Sequence, residues 1–272
     1  MSAPYVRPGS VLVIALIFVA AACGDSGDVT PSPTASFVSA RTTTPSPRVS
    51  ATPTPAPTPA PTLPRTPPPS TGPAQVIERG DTSRNVVALS FDAGSDVGYS
   101  ASILDTLAAN GITASFGMTG RWAEEYPDLV RRMVNEGHSM INHSYNHPSF
   151  RDLSQAERWD QLDRTEKIIR DLTGATTKPY FRPPFGAYDD SVNADVGKRG
   201  YAYNVMWTVD SRGWKGISAG EITQRCLEMA EPGAIYIFHV GSASQDGPAL
   251  QEIIDGLRDR GYEIGSVEDV LP

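Results

Sequence analysis

Two histidines four residues apart, His143 and His147, stand at the end of an apolar run among small polar residues. On one helical turn their imidazoles would project to the same side and hold a single divalent cation. The same spacing also arises on solvated helices and in hydrogen-bonded loops, so the pair alone does not define a metal site. Its meaning changes beside Asp92, Arg182 and His239, which each lie at or near the end of an apolar, strand-like run. A carboxylate, a guanidinium and a third imidazole gathered around two histidines have the make-up of a metal-assisted hydrolase. Zn2+ suits a mixed imidazole and carboxylate site, Co2+ or another divalent ion would serve similarly, and bound water there would have a pKa of about 7. Asp92 would accept the water's proton, Arg182 would hold Asp92 ionised, and His239 would protonate the departing group. That division suits an amide, whose amine must leave protonated.

Such groups need strand ends that converge. Apolar runs over 86–91, 112–118, 139–142, 179–182, 201–207, 234–239 and 262–265 read as strands, each followed by a helical pattern. Helices are expected from about 100 to Gly111, over 122–136, from a capping box at Ser154 and Glu157 to Gly174, over 189–199, from a second box at Ser218 and Glu221, and over 250–260, with a last turn over 267–271. Seven strands alternating with helices imply parallel pairing with right-handed crossovers, in a barrel or a doubly wound sheet. Asp92, His143, Arg182, Asp210 and His239 fall at or just past five different strand ends. A doubly wound sheet gathers its site at one switch point, whereas a barrel brings all its strand ends around one mouth. The sequence therefore points to an irregular seven-stranded β/α barrel.

The 272-residue chain changes composition near residue 75. Residues 1–23 read as an export leader, with an apolar core over 11–22 that suits a signal peptide better than a membrane span. Ala20-Ala21-Ala22-Cys23 resembles the cleavage box of bacterial lipoproteins, with Ala20 where leucine is usual. An ordinary signal peptide cut near Cys23 and an uncleaved anchor are the alternatives. Residues 24–74 are rich in Pro, Thr, Ser and Ala and read as a disordered spacer, whose stretch over 29–74 reaches, at about 3.1 Å per residue, on the order of 140 Å. Residues 75–272 make one folded domain. The leader and spacer carry four arginines and two aspartates, which leaves 19 basic and 29 acidic residues in the domain, a net charge of −10. Nucleic acid is excluded as a partner, and a membrane is expected only through the amino-terminal lipid or signal anchor. Cys226 is the domain's one cysteine, so it has no disulfide; within a helical pattern it reads as a small buried apolar residue.

Five ordered segments carry a family resemblance: Ser90-Phe91-Asp92-Ala93-Gly94, His143-Ser144-Tyr145-Asn146-His147, Arg182-Pro183-Pro184-Phe185, Asp210-Ser211-Arg212-Gly213-Trp214 and Ile237-Phe238-His239. Together they resemble the motifs of the polysaccharide deacetylases, the NodB-homology enzymes of carbohydrate esterase family 4. The resemblance implies a distorted (β/α)7 barrel and metal-dependent removal of N-acetyl groups, in some members O-acetyl groups, from sugars. It implies Asp92 as base, His143 and His147 as metal ligands, Arg182 as the partner of the base and His239 as general acid. It also implies the Phe185 N–H as an oxyanion donor, with Trp214 and Ile237 around the acetyl methyl. His138 matches no ligand position and is expected to be structural.

Two departures stand out. The family's first motif has a second aspartate, a metal ligand, where this chain has Ala93; Asp96 is the candidate to replace it. The fourth motif has an aspartate before its tryptophan, tuning the catalytic histidine, where this chain has Gly213; Asp210 is the candidate there. With export and a spacer, the expected substrate is an N-acetylated glycan of the envelope, peptidoglycan foremost. A catalytically weak or silent glycan-binding barrel and an amidase for a small non-sugar amide are the alternatives.

Overall fold

The computed structural model describes residues 72–271. The expected leader and most of the spacer lie outside the described residues. Among the described residues nine strands appear in chain order: β1 (Gln75–Ile77), β2 (Val86–Ala93), β3 (Ser115–Met118), β4 (Ser139–Asn142), β5 (Tyr180–Phe181), β6 (Tyr203–Val205), β7 (Val209–Asp210), β8 (Ile235–His239) and β9 (Glu263–Gly265). Eight helices interleave with them: α1 (Ser100–Asn110), α2 (Gly120–Glu125), α3 (Pro127–Asn135), α4 (Gln155–Thr173), α5 (Asp190–Gly197), α6 (Ala219–Glu228), α7 (Asp246–Asp259) and α8 (Val267–Val270). None of these helices is long and apolar enough to cross a membrane.

All strand pairings are parallel, in the order β1-β6-β5-β4-β3-β2-β8-β7, with β9 also against β2. The run expected as one strand over 201–207 forms β6, which pairs with β5, and continues into β7, which pairs with β8. The chain past β1 meets the residue just before β8 through an isolated antiparallel bridge between Arg79 and Ala234. The sheet therefore curls on itself as a distorted β/α barrel. The helix expected over 122–136 is two, because Pro127 has no N–H to continue α2 and instead opens α3 at its first position. Both capping boxes form as read, at α4 and α6.

The central strand β2 is buried along its whole length and shows how the barrel is filled. Val87, Leu89, Phe91 and Ala93 face the helices, in one apolar cluster with Ile103, Leu104, Ile253 and Leu257. Val86 and Ala88 face inward against Ile141, Val205, Ile235 and Val270, which fill the barrel's base. Alternation then puts Ser90 and Asp92 on the inner face one and two steps higher. The interior thus changes from aliphatic to polar toward the C-terminal mouth.

Candidate active site

Arg182 forms the polar floor of the mouth. It follows β5, is fully buried, and donates from Nε to the Val205 carbonyl (2.9 Å), from Nη2 to Ser90 Oγ (2.8 Å) and from Nη1 to Asp92 Oδ1 (2.7 Å). Each of its three nitrogens donates to a fixed acceptor, which is how a buried guanidinium is tolerated. Burial pushes the Asp92 carboxyl up, but Arg182, with His143 and His239, more than offsets it and holds Asp92 below the ordinary carboxylate range. Asp92 is therefore ionised at neutral pH.

The two histidines meet Asp92 from β4 and the loop after it, and not from a helical turn as expected. Ser144 and His147 both take left-handed backbone (φ 69° and 65°), folding the segment into a tight loop. Asn142 Oδ1 accepts the Ser144 N–H, Ser144 Oγ accepts the His147 N–H, and Gln161 of α4 accepts the N–H groups of Tyr145 and Asn146. The two imidazoles still end up together, with ring centroids 4.9 Å apart. His143 Nδ1 lies 2.9 Å from the Arg182 carbonyl, which can only accept, so the proton sits on Nδ1. That leaves the Nε2 lone pair directed toward Asp92 Oδ2, 3.5 Å away. Burial lowers both imidazoles' pKa values, His147 to about 4, so both rings are neutral at pH 7.

These features bear on whether a divalent cation fits. Two neutral imidazoles on the cavity wall, one with its outer nitrogen fixed by a backbone carbonyl, are suited to be donors. Asp96 does not join them. Its carboxylate accepts from Ser242 N (2.7 Å) and Ser242 Oγ (2.6 Å), clasping the loop after β8, and it does not line the cavity. The unpaired donors of that loop claim it first. Among the described residues no three His, Cys, Asp or Glu side chains are grouped to hold a metal. The protein thus supplies two donors, with Asp92 beside them, and Ala93 is turned away into the helix-side core.

His239 ends β8, directly beside Asp92 in register, and faces the same cavity of about 620 Å³. Burial lowers its pKa, but the Asp246 carboxylate, 3.8 Å from Nδ1, and the charges of Asp92 and Asp210 reverse this and raise it above the ordinary value. Ile237 forms an inner wall in register with Ser90 and Asp210. Asp210 serves its own loop: its carboxylate accepts from the Arg212 N–H (2.8 Å) and Trp214 Nε1 (3.3 Å), holding Trp214 at the rim. Phe185 sits in a 3-10 turn, Pro184–Gly186, with φ 60°, and its ring meets His147 edge-on at 4.6 Å. Phe185 and Trp214 are 73% and 55% exposed, unusual for large apolar side chains, and they flank the opening.

Sequence reasoning missed Ser90, Gln161 and Asp246, which act through neighbours. Ser90 had a signal, lying two residues before Asp92 on the same strand face. The other two depend on contacts between distant segments. His138 is structural as expected: buried, held neutral with a pKa of about 4, and accepting the Ala114 N–H on Nδ1. Cys226 is also buried, which pushes its thiol pKa up.

A curled parallel sheet with a carboxylate, a guanidinium and three imidazoles at its C-terminal mouth defines a hydrolase barrel. The chain belongs to the polysaccharide deacetylase family, whose model matches residues 79–204. It is 32% identical over 195 residues to the peptidoglycan-N-acetylmuramic acid deacetylase PdaA of Bacillus subtilis, covering 71% of this chain and 73% of that one. It is 35% identical over 178 residues to a peptidoglycan-N-acetylglucosamine deacetylase of Bacillus cereus, covering 65% and 62%. The structure of Bacillus subtilis PdaA, a family 4 carbohydrate esterase, superposes with a TM-score of 0.68 at 30% identity, over 72% of this chain and 84% of that one. A CE4 family pseudoenzyme from Bacillus anthracis superposes equally well, with a TM-score of 0.68 at 30% identity over 73% and 69%.

Proposed function

We propose that this chain removes N-acetyl groups from peptidoglycan sugars with the help of a divalent metal, most simply Zn2+, and that residues 1–23 export it and residues 24–74 hold it away from the membrane. The observation that carries this reading is the opposed charge state of two neighbours, Asp92 held ionised by Arg182 and His239 pushed toward its protonated form, in one cavity. Titratable groups pushed apart in this way mark a base and an acid. Asp92 would take a proton from the attacking water, and His239 would give one to the departing sugar amine. His143 and His147 would hold the cation, which when bound supplies Lewis-acid polarisation of the acetyl carbonyl. The Phe185 N–H would stabilise the oxyanion, and Ile237 with Trp214 would enclose the methyl. A volume of 620 Å³ accommodates a sugar unit with its N-acetyl group. The relatives' names divide between N-acetylmuramic acid and N-acetylglucosamine, and product analysis distinguishes the two.

The test is acetate release from peptidoglycan and from N-acetylglucosamine oligomers by purified protein supplied with Zn2+ or Co2+. Release that is abolished in Asp92→Asn supports the reading; no release from any glycan overturns it. The burial of Ala93 away from the cavity favours one second reading, a barrel that binds glycan without hydrolysing it. That reading requires tight glycan binding by protein that takes up no zinc.

A further inference from the structure

Asp246 stands beside this cavity without a part in the scheme above. It is the first residue of α7 and is completely buried. Its Oδ2 accepts the His239 N–H (2.7 Å) and the Ser211 hydroxyl (3.1 Å), and lies 3.8 Å from His239 Nδ1. Its Oδ1 and His239 Nδ1 are both buried with no hydrogen-bond partner. Among the described residues, His239 is the only basic side chain within 4 Å of this carboxylate. A buried carboxylate calls for a cation or directed donors beside it, and rotation of either side chain would bring the two unpartnered atoms toward one another. Nδ1 would then carry its proton toward Asp246, and Nε2 would be fixed toward the substrate.

Gly213 provides an independent observation. A Cβ built on Gly213 would lie 2.5 Å from Asp246 Oδ1 and would also strike Ser244 Oγ. Real Cβ atoms do not approach so closely. The space a side chain at position 213 would need is therefore filled by the Asp246 carboxylate, which enters from α7. Glycine at 213 and aspartate at 246 form a matched pair.

We infer that Asp246 is the positioning residue of His239, supplying from α7 the carboxylate that the fourth motif would place immediately before Trp214. It orients the imidazole and stabilises its charged form; Asp210, the candidate from sequence, is committed to Arg212 and Trp214. This inference rests on the deacetylase reading for its kinetic consequences, but the His239–Asp246 pairing is measurable without turnover.

Asp246→Asn keeps the shape and removes the charge, and Asp246→Ala removes the group. The groups facing His239 in both variants remain Asp92 from β2, Asp210 from β7, and His143 and His147 from the loop after β4. Losing one carboxylate lowers the His239 pKa, so its NMR titration in the full chain moves to lower pH, whatever the activity. In wild-type enzyme that releases acetate, Asp246→Asn should lower kcat about 10- to 100-fold with little change in KM. The alkaline limb of its pH profile should shift to lower pH, because the acid must be protonated to act. The double variant Gly213→Asp/Asp246→Ala relocates the carboxylate and should regain much of the kcat lost in Asp246→Ala. An unshifted His239 titration overturns the inference, as does an equal loss of kcat at every pH with no recovery in the double variant. Inactive wild type with a shifted titration would refute the deacetylase reading and leave the pairing standing.

Discussion

Replacing Arg182 by methionine keeps the side chain's length and apolar stem while removing the cation under Asp92. Three acceptors lose a charged donor: Asp92 Oδ1, Ser90 Oγ and the Val205 carbonyl. Stranding one partner of a buried ion pair costs about 3 to 5 kcal/mol, and the two neutral acceptors lose their share regardless of pH. The charged part has a definite pH dependence. In the native protein the Asp92 pKa lies below its unfolded value, so the pair stabilises the fold above about pH 4, and this contribution fades as pH falls through the folded pKa. In the variant Asp92 keeps its burial and loses its main counter-charge, so its pKa rises and the ionised form becomes a penalty near neutrality. The difference in stability between the two proteins should be largest near pH 7 and shrink toward pH 4.5. Urea unfolding of both at the two pH values measures it, and Asp92→Asn with the double variant isolates the coupling. A loss below about 1 kcal/mol, or one equal at both pH values, would refute the argument that Arg182 is there to hold a charge.

Asp92→Asn in otherwise native enzyme should lower kcat by at least about 100-fold while glycan affinity changes little, read by acetate release and equilibrium binding. His143→Ala should abolish stoichiometric zinc uptake, measured by metal analysis after dialysis, and chelation of wild type should stop turnover reversibly. His138, remote from the site and held neutral down to about pH 4, makes the unfolded state bind the extra proton between pH 4 and 6.5. Stability should therefore rise with pH across that window by roughly 3 kcal/mol at most, and His138→Gln should flatten the curve in denaturant titrations.

What the sequence made legible was whatever local chemistry or periodicity could carry. The two capping boxes announced α4 and α6 because each closes within four residues. The strand ends were visible because apolar runs stop at Asp92, Asn142 and His239. The strand β1 was missed because three residues after a proline-rich stretch show no alternation, and it exists by pairing with β6. The bend that divides β6 from β7 was missed because residues 201–207 read as one strand-like run and only the different partners of the two halves separate them. The helical placing of His143 and His147 was incorrect because spacing does not reveal left-handed residues; the loop depends on Asn142 and Gln161. Asp96 was misplaced for a related reason, since Ser242 reaches it from 146 residues away. Asp246 left no trace, because its neighbours Gly213 and His239 meet it only after α7 has packed.

Arg182 carries a consequence that its ion pair alone does not convey. Its guanidinium grips the proton acceptor Asp92, while its own carbonyl receives the Nδ1 proton of His143. Two functional groups from separate strands are thus indexed to the bonds of one amino acid. The gap between them is set by a fixed covalent ruler, and thermal motion of the mouth should carry both as a single body while the rim aromatics Phe185 and Trp214 move on their own. Substrates would then be accommodated by the rim, without disturbing the spacing on which the chemistry depends.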